Sequence, residues 1–231
     1  MTTGALTMEN KTKKTQVYLV DDHPLVRESL TSLINQQTDL AVCGEAESGT
    51  RALREMAALK PDVAILDISL KESSGLELIK AAKSTVPDIS IVVLSMHDEE
   101  LYAERCIRAG AGGYVMKREA SNRVVAAVRE VLAGRMCVSD QMAAAFAKKF
   151  VSGRKTSGDS PVSALSDREL EVFGLLGKGM ATRQVAEHMG VSIKTVQAYC
   201  ARIKHKLHLA SATELLREAI HWHDQNASDV S

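Results

Sequence analysis

Aromatic residues are scarce, at 3% of the 231 residues, so the cores of this chain must be built mainly from aliphatic side chains. Cysteine is equally sparse. Cys43, Cys106, Cys137 and Cys200 stand far apart with no C-x-x-C pair, each in or beside an apolar run, and they read as buried free thiols in a reducing compartment. No window approaches 18 uninterrupted apolar residues, and the first sixteen residues lack the apolar core of a signal peptide. A soluble, cytoplasmic protein with no membrane association is expected. Excess charge is missing too: Lys+Arg 29 balances Asp+Glu 29, which rules out a uniformly basic coat and leaves room for a local basic face. The length fits two modest domains better than one.

What is there begins with alternation. Short apolar runs at 17–20, 40–43, 63–66, 89–94 and 113–116 are separated by amphipathic stretches at 25–36, 50–59, 75–84, 99–109 and 120–133. Five βα repeats in about 120 residues predict a parallel sheet with helices on both faces. Pro24, Pro61 and Pro87 fall in the junctions, where a missing N–H costs little. The alternation stops near Cys137. A short Ala-rich helix is expected over Asp140–Val151, followed by an apolar-free stretch, Ser152 to Pro161, that reads as linker. Beyond it the pattern is purely helical. Ser166 and Glu169 form a capping box opening a helix to about Gly177. A second helix over 181–189 is stopped by Gly190. Ser192 caps a third, on which Ile193, Val196, Cys200, Ile203 and Leu207 share one face, and a fourth runs from about Ala212 to Trp222.

Chemistry gathers at the ends of the predicted strands. Asp21 and Asp22 close the first run, Asp67 the third, Ser95 the fourth, and Tyr114 and Lys117 belong to the fifth. The carboxyl edge of a parallel sheet is where open α/β folds bind ligands. Three carboxylates meeting there would repel one another unless a divalent cation sat among them.

In this order and at these strand ends, the six residues make 16–134 resemble the receiver domain of a bacterial two-component response regulator. The resemblance implies that Asp67 is the nucleophile that takes a phosphoryl group from a sensor histidine kinase. It implies Mg²⁺ held by Asp22, Asp67 and the backbone carbonyl of Ser69, with Asp21 positioning waters on the ion. Lys117 and Ser95 would meet the phosphoryl oxygens, and Tyr114 would change rotamer as the switch reports. Haloacid-dehalogenase-type phosphatases also use a strand-end Asp with Mg²⁺ and Lys, but they carry a second acid where this chain has Ser69. Most receivers read Met-Pro where this chain reads Leu70-Lys71, which loses a preset φ and adds a positive charge near the site. His97, beside Ser95, is a further candidate for tuning hydrolysis.

In the C-terminal part, Ala186, Gly190 and Val196 stand at helix-turn-helix spacing. With Leu165-Ser166-x-Arg168-Glu169, the Val191–Val196 segment and Arg202-Ile203-x-x-Lys206-Leu207, residues 164–231 resemble a LuxR-type DNA-binding domain. A receiver followed by such a domain resembles the NarL/FixJ regulators. The fold class expected is therefore a five-stranded, doubly wound, flavodoxin-like α/β receiver followed by a small all-α four-helix helix-turn-helix domain. A tail over 1–15 and a partly helical linker over 135–163 complete the division. Between 183 and 208, Arg183, Lys194, Arg202, Lys204 and Lys206 face one acid, Glu187, a surface suited to the phosphates of double-stranded DNA. Lys194, Gln197, Ala198, Ala201 and His205 lie opposite the apolar face and would point into the major groove, while Thr195 belongs to the matching motif. Gln pairs well with adenine and Ala with a thymine methyl, so an A·T-leaning half-site is possible. The resemblance implies no enzymatic turnover and a homodimer on DNA. A degenerate receiver that works without phosphorylation is the alternative.

Overall fold

The computed structural model describes residues 14–70, 75–96, 99–151 and 161–228. Five parallel strands, β1 (Thr15–Val20), β2 (Leu40–Ala46), β3 (Val63–Asp67), β4 (Ser90–Ser95) and β5 (Gly113–Met116), form one sheet in the order β2-β1-β3-β4-β5. Helices α1 (Pro24–Asn35), α2 (Gly49–Leu59), α3 (Gly75–Thr85), α4 (Glu99–Ala109) and α5 (Ala120–Leu132) fill the crossovers. All five residues of β3 are buried, which is why this strand reads as a continuous apolar run rather than an alternating one. The strand order doubles back beside β1, so the ends of β1 and β3 lie next to each other, Val20 paired with Leu66. That reversal brings Asp21, Asp22 and Asp67 to one place.

Every expected strand and helix is present, with bounds shifted by at most three residues except at the end of the last helix. β1 begins at Thr15, one residue before the expected boundary, because Thr15 pairs with Leu40. The chain after α5 first returns to the sheet. Cys137 forms an isolated parallel bridge with Gly113, its carbonyl accepting from the Tyr114 N–H at 2.7 Å, so the chain past α5 covers the β5 edge before leaving the sheet. Helix α6 (Asp140–Val151) follows as expected. Most of the apolar-free linker, Lys71 and His97 lie outside the described residues.

The C-terminal part holds α7 (Asp167–Gly177), α8 (Thr182–Met189), α9 (Ile193–Lys206) and α10 (Ala212–Ser228), the last extending beyond the expected end. The capping box forms: the Ser166 side chain accepts from the Glu169 N–H, and the Glu169 carboxylate accepts from the Ser166 N–H at 2.8 Å. Gly190 takes φ +63° in the turn between α8 and α9, as a tight helix-turn-helix requires. Val196 and Ile203 are buried under α9, whereas Ile193, expected on the same face, is 45% exposed because it opens the helix beyond the reach of α7 and α8. Trp222 lies 5.5 Å from Phe173, closing the core. The four cysteines are free, Cys106 and Cys137 buried and the other two partly so.

Two glycines are required by close approach. A Cβ on Gly75 would fall 2.5 Å from the Ile68 backbone, and one on Gly177 would fall 2.5 Å from the Ala219 carbonyl oxygen, where α7 and α10 touch. Gly177→Ala is expected to destabilise the C-terminal domain by about 2 kcal/mol through forced separation of these helices. Chemical denaturation of the full chain followed by Trp222 fluorescence will register the loss as a lower midpoint.

Candidate functional site

The acidic pocket is built from strand ends. Asp67 is 1% exposed and Asp21 2% exposed, both brought there by strands whose other residues pack in the sheet core. Two buried carboxylates this close need a cation, and Lys117 supplies one from the end of β5. Its ammonium lies 2.7 Å from Asp67 Oδ2 and 2.7 Å from Asp21 Oδ2. The Ser69 N–H donates to Asp67 Oδ1 at 2.8 Å, holding the carboxylate from its other side. Burial pushes the Asp67 pKa up, and Lys117 only partly opposes it. For Lys117 burial works downward, but the two carboxylates outweigh it and leave the pKa raised. Ser95 is buried as the last residue of β4, and Tyr114 is buried as the second residue of β5.

One oxygen or nitrogen from each of Asp21, Asp22, His23 and Asp67 lies within 4.8 Å of the others. The residues fit a divalent cation: three carboxylates converge, with one cationic side chain against them. Arg27, which the motif reading missed, donates from Nη1 to the Asp21 carbonyl at 2.7 Å and so fixes the loop. His23 was missed as well, although it adjoins the two acids in sequence.

The DNA-facing candidates differ in exposure and in the partners they already hold. Lys194, Gln197, Ala198, Ala201, Arg202 and His205 are exposed along α9, and Arg202 stacks over the Tyr199 ring at 5.2 Å. Lys204 is half-buried, and the Thr195 N–H donates to the Ser192 side chain at the start of α9. Arg183 is exposed but spans to Glu187 at 3.2 Å. Lys206 is turned away from this face. Its ammonium reaches Glu169 Oε2 at 2.7 Å and the Ala164 carbonyl at 3.1 Å, because the end of α9 packs beside the start of α7.

The two halves also touch. The Tyr102 hydroxyl on α4 donates to the Asp167 carbonyl at 2.7 Å, and Arg105 Nη2 donates to the Leu165 carbonyl at 2.7 Å. Tyr102 and Cys106 are buried, and burial is the main reason both pKa values are pushed up. Glu99, at the start of α4, accepts from the Ser139 N–H at 2.8 Å, tying the same helix to the approach to α6.

Residues 17–129 match the family model for the response regulator receiver domain, and residues 163–219 match that for bacterial regulatory proteins of the luxR family. The chain is a two-component response regulator with a LuxR-type DNA-binding domain. It is 34% identical over 210 residues to the oxygen regulatory protein NreC of Staphylococcus epidermidis, covering 89% of this chain and 96% of NreC. To the DNA-binding transcriptional activator DevR/DosR of Mycobacterium tuberculosis it is 36% identical over 199 residues, covering 86% of this chain and 91% of that one. Among solved structures, RcsB of Salmonella enterica serovar Typhimurium, bound to promoter rprA with phosphomimetic BeF3-, matches with TM-score 0.55 at 26% identity, over 89% of this chain and 98% of RcsB. A LuxR-family response regulator from Aurantimonas sp. SI85-9A1 matches with TM-score 0.55 at 32% identity, over 60% of this chain and 99% of that one. This response regulator is a DNA-binding transcriptional regulator. Among the described residues no helix is long and apolar enough to cross a membrane.

Lys194 and Lys206 therefore predict different phenotypes. Lys194→Gln should lower the salt dependence of DNA binding by about one phosphate contact, read as the slope of log affinity against log salt. Lys206→Met should leave that slope unchanged and cost roughly 2 kcal/mol of stability, since it strands a buried carboxylate. The Glu169 pKa is lowered: burial alone would raise it, but the Lys206 ammonium and the Ser166 N–H outweigh burial. The wild-type contact therefore stabilises the fold above the usual glutamate range, and the stabilisation is lost as pH falls through the lowered folded value. Glu169→Gln should flatten that acid limb in thermal melts taken downward in pH through the usual glutamate value of about 4.3.

Proposed function

We propose that this regulator is switched by phosphorylation of Asp67 in the bacterial cytoplasm, with a sensor histidine kinase as the phosphodonor, and that it acts as a homodimer on DNA. The observation that carries this reading is the buried Asp67 carboxylate held between Lys117 and the Ser69 N–H at an open sheet edge. An Asp67 oxygen attacks the phosphorus of a phosphohistidine, the phosphorus–nitrogen bond breaks, the imidazole leaves with a proton, and an acyl phosphate forms. Mg²⁺, held by Asp22, Asp67 and the Ser69 backbone carbonyl with Asp21 ordering its waters, would offset the charge on the phosphoryl oxygens. Lys117 pairs with one phosphoryl oxygen instead of the bare carboxylate. The Ser95 hydroxyl takes another, drawing its loop inward, and Tyr114 follows into the space this opens. Water later hydrolyses the anhydride, which resets the switch. The residue set carries no second acid at Ser69 to act as a general acid, so a phosphohydrolase acting on outside substrates is disfavoured.

The contact between α4 and the start of α7 supports a particular route from phosphate to DNA. Helix α4 follows directly on the Ser95 loop, and Tyr102 and Arg105 hold the DNA-binding half by it. That hold leaves the groove-facing side chains of α9 exposed, and Leu216 and Ile220 on α10 are 42% and 38% exposed. The resting arrangement fixes the orientation of the DNA-binding half without covering its recognition side chains. Phosphorylation thus governs the pairing of two chains rather than access to one half-site.

In gel-shift or anisotropy titrations with a phosphodonor and Mg²⁺, Asp67→Ala should lose the phosphate-driven rise in DNA occupancy that wild type shows; equal occupancy in both rules out phosphorylation control. A duplex with one half-site should bind the full chain within about threefold with and without beryllofluoride, while a paired site gains about tenfold or more. Tyr102→Phe combined with Arg105→Ala should produce most of that paired-site gain without any phosphoryl mimic. A tenfold gain on the single half-site would instead mean that the receiver masks the recognition helix.

A further inference from the structure

Several cations of the DNA-binding half already hold an acid. Arg168 Nη1 donates to Glu171 Oε2 at 2.9 Å, Lys206 reaches Glu169 Oε2 at 2.7 Å, and Arg183 Nε lies 3.2 Å from Glu187 Oε1. Arg202 differs. Among the described residues it has no acid partner, and its guanidinium carbon lies 5.2 Å from the centre of the Tyr199 ring. The helix dictates this pairing. Side chains on an α-helix lean towards its N-terminus, so a long side chain at 202 reaches back over the residue one turn earlier. Tyr199 is half-buried and packs against the core, whereas Arg202 is exposed. An anchored ring thus lies under a long, solvated cation.

The two kinds of partner act differently on a cation that must meet a phosphate. A carboxylate fixes the guanidinium but cancels the field a phosphate would feel, and it has to be displaced before the phosphate can pair. A ring attracts the guanidinium through its quadrupole and leaves the net charge and the outward N–H donors intact. Arginine also carries much rotamer freedom, and holding it on the ring before DNA arrives reduces what binding must immobilise. The position suits such a contact. At 3.6 residues per turn, Arg202 lies between Tyr199 and the outward-facing Ala198 and His205, on the opposite side of Tyr199 from the buried Val196 and Ile203. A helix lying in the major groove has its outermost side chains against base edges and its flanks against the phosphate backbone.

We infer that Tyr199 is a positioning residue for DNA binding: its ring holds the Arg202 guanidinium on the flank of α9, turned towards a backbone phosphate, without itself reading a base. The inference rests on the reading of α9 as the helix that enters the groove. The ring supplies orientation and Arg202 supplies charge, so the value of Tyr199 depends wholly on the arginine above it. The contact is to the backbone, so it strengthens binding to every sequence alike and leaves base preference to the outward side chains. A cation–π contact at an exposed site is worth a factor of about two to five in affinity.

The test is a double-mutant cycle in the full chain, with a fluorescein-labelled duplex of mixed sequence as the probe and anisotropy titrations across a range of salt. Tyr199→Leu, which keeps an apolar side chain against the core but removes the ring face, should weaken binding about fourfold, and Tyr199→Phe should restore it. Arg202→Gln should weaken binding further and lower the salt slope by about one phosphate contact. In the Arg202→Gln background, Tyr199→Leu should cost nothing more, because a positioning residue has nothing left to position. Equal losses in both backgrounds would overturn the inference, since Tyr199 would then act through the fold or through DNA on its own. No loss from Tyr199→Leu, in a chain where Arg202→Gln lowers the slope, would overturn it as well. An unchanged slope in Arg202→Gln, with Lys194→Gln still lowering it, would remove Arg202 from the phosphates and leave α9 as the groove helix. If neither variant lowers the slope, the reading of α9 fails and the inference falls with it.

Discussion

Everything at the sheet's carboxyl edge depends on the position of one ammonium group. Asp21 and Asp67 are almost wholly buried, and two carboxylates so placed are tolerable only beside compensating positive charge. Lys117 meets both at 2.7 Å, and it can do so because β5 lies at one side of the sheet and delivers the residue that follows it back towards β1 and β3. The doubly wound order is therefore an electrostatic requirement as much as a topological one. It brings acids from two neighbouring strands and a cation from a more distant one to a common point. A phosphoryl group on Asp67 adds negative charge to a place already rich in it, which makes the surrounding loops, rather than the sheet, the part that must give.

Helix α4 is the element through which such a change would travel. It adjoins Ser95 at one end, and along its length it touches the approach to α6 through Glu99 and the start of α7 through Tyr102 and Arg105. A helix shared between a charged pocket and a second domain is a two-sided constraint: a shift favoured at either side is felt at the other. The capping box of α7 strengthens this arrangement, since Ser166 and Glu169 hold rigid the short segment that α4 grips. Lys206 adds a strut from the far end of α9 to the same segment, joining the recognition helix mechanically to the seam.

Periodicity made the architecture legible. Five apolar runs between amphipathic stretches define a parallel sheet, and a Ser-to-Glu capping box or a Gly between two helical patterns carries its own local physics. Asp67, Asp21, Asp22, Lys117, Ser95 and Tyr114 were readable because each stands at or near a strand end, where side-chain destination follows from the fold. Lys206 was not. Its charge resembled that of its neighbours, and only packing between α7 and α9 decides that it turns inward. His23 escaped for a related reason: a lone histidine after two acids has no periodic signature, and its contact with them depends on a loop conformation fixed by Pro24 and Arg27. The seam between the halves was equally invisible, because Tyr102 and Arg105 lie on a helix whose outer face would be surface in an isolated receiver.

That seam is written largely in main-chain atoms on one side. Tyr102 and Arg105 donate to the carbonyl oxygens of Asp167 and Leu165, groups that every amino acid carries. Substitutions at 165 or 167 that keep the backbone path leave both acceptors in place, whereas any change at 102 or 105 alters a donor directly. The hydrogen-bonding part of the clasp is therefore set from the receiver, while the DNA-binding half contributes through the Asp167 carboxylate, which lies 4.0 Å from Arg105 Nη1.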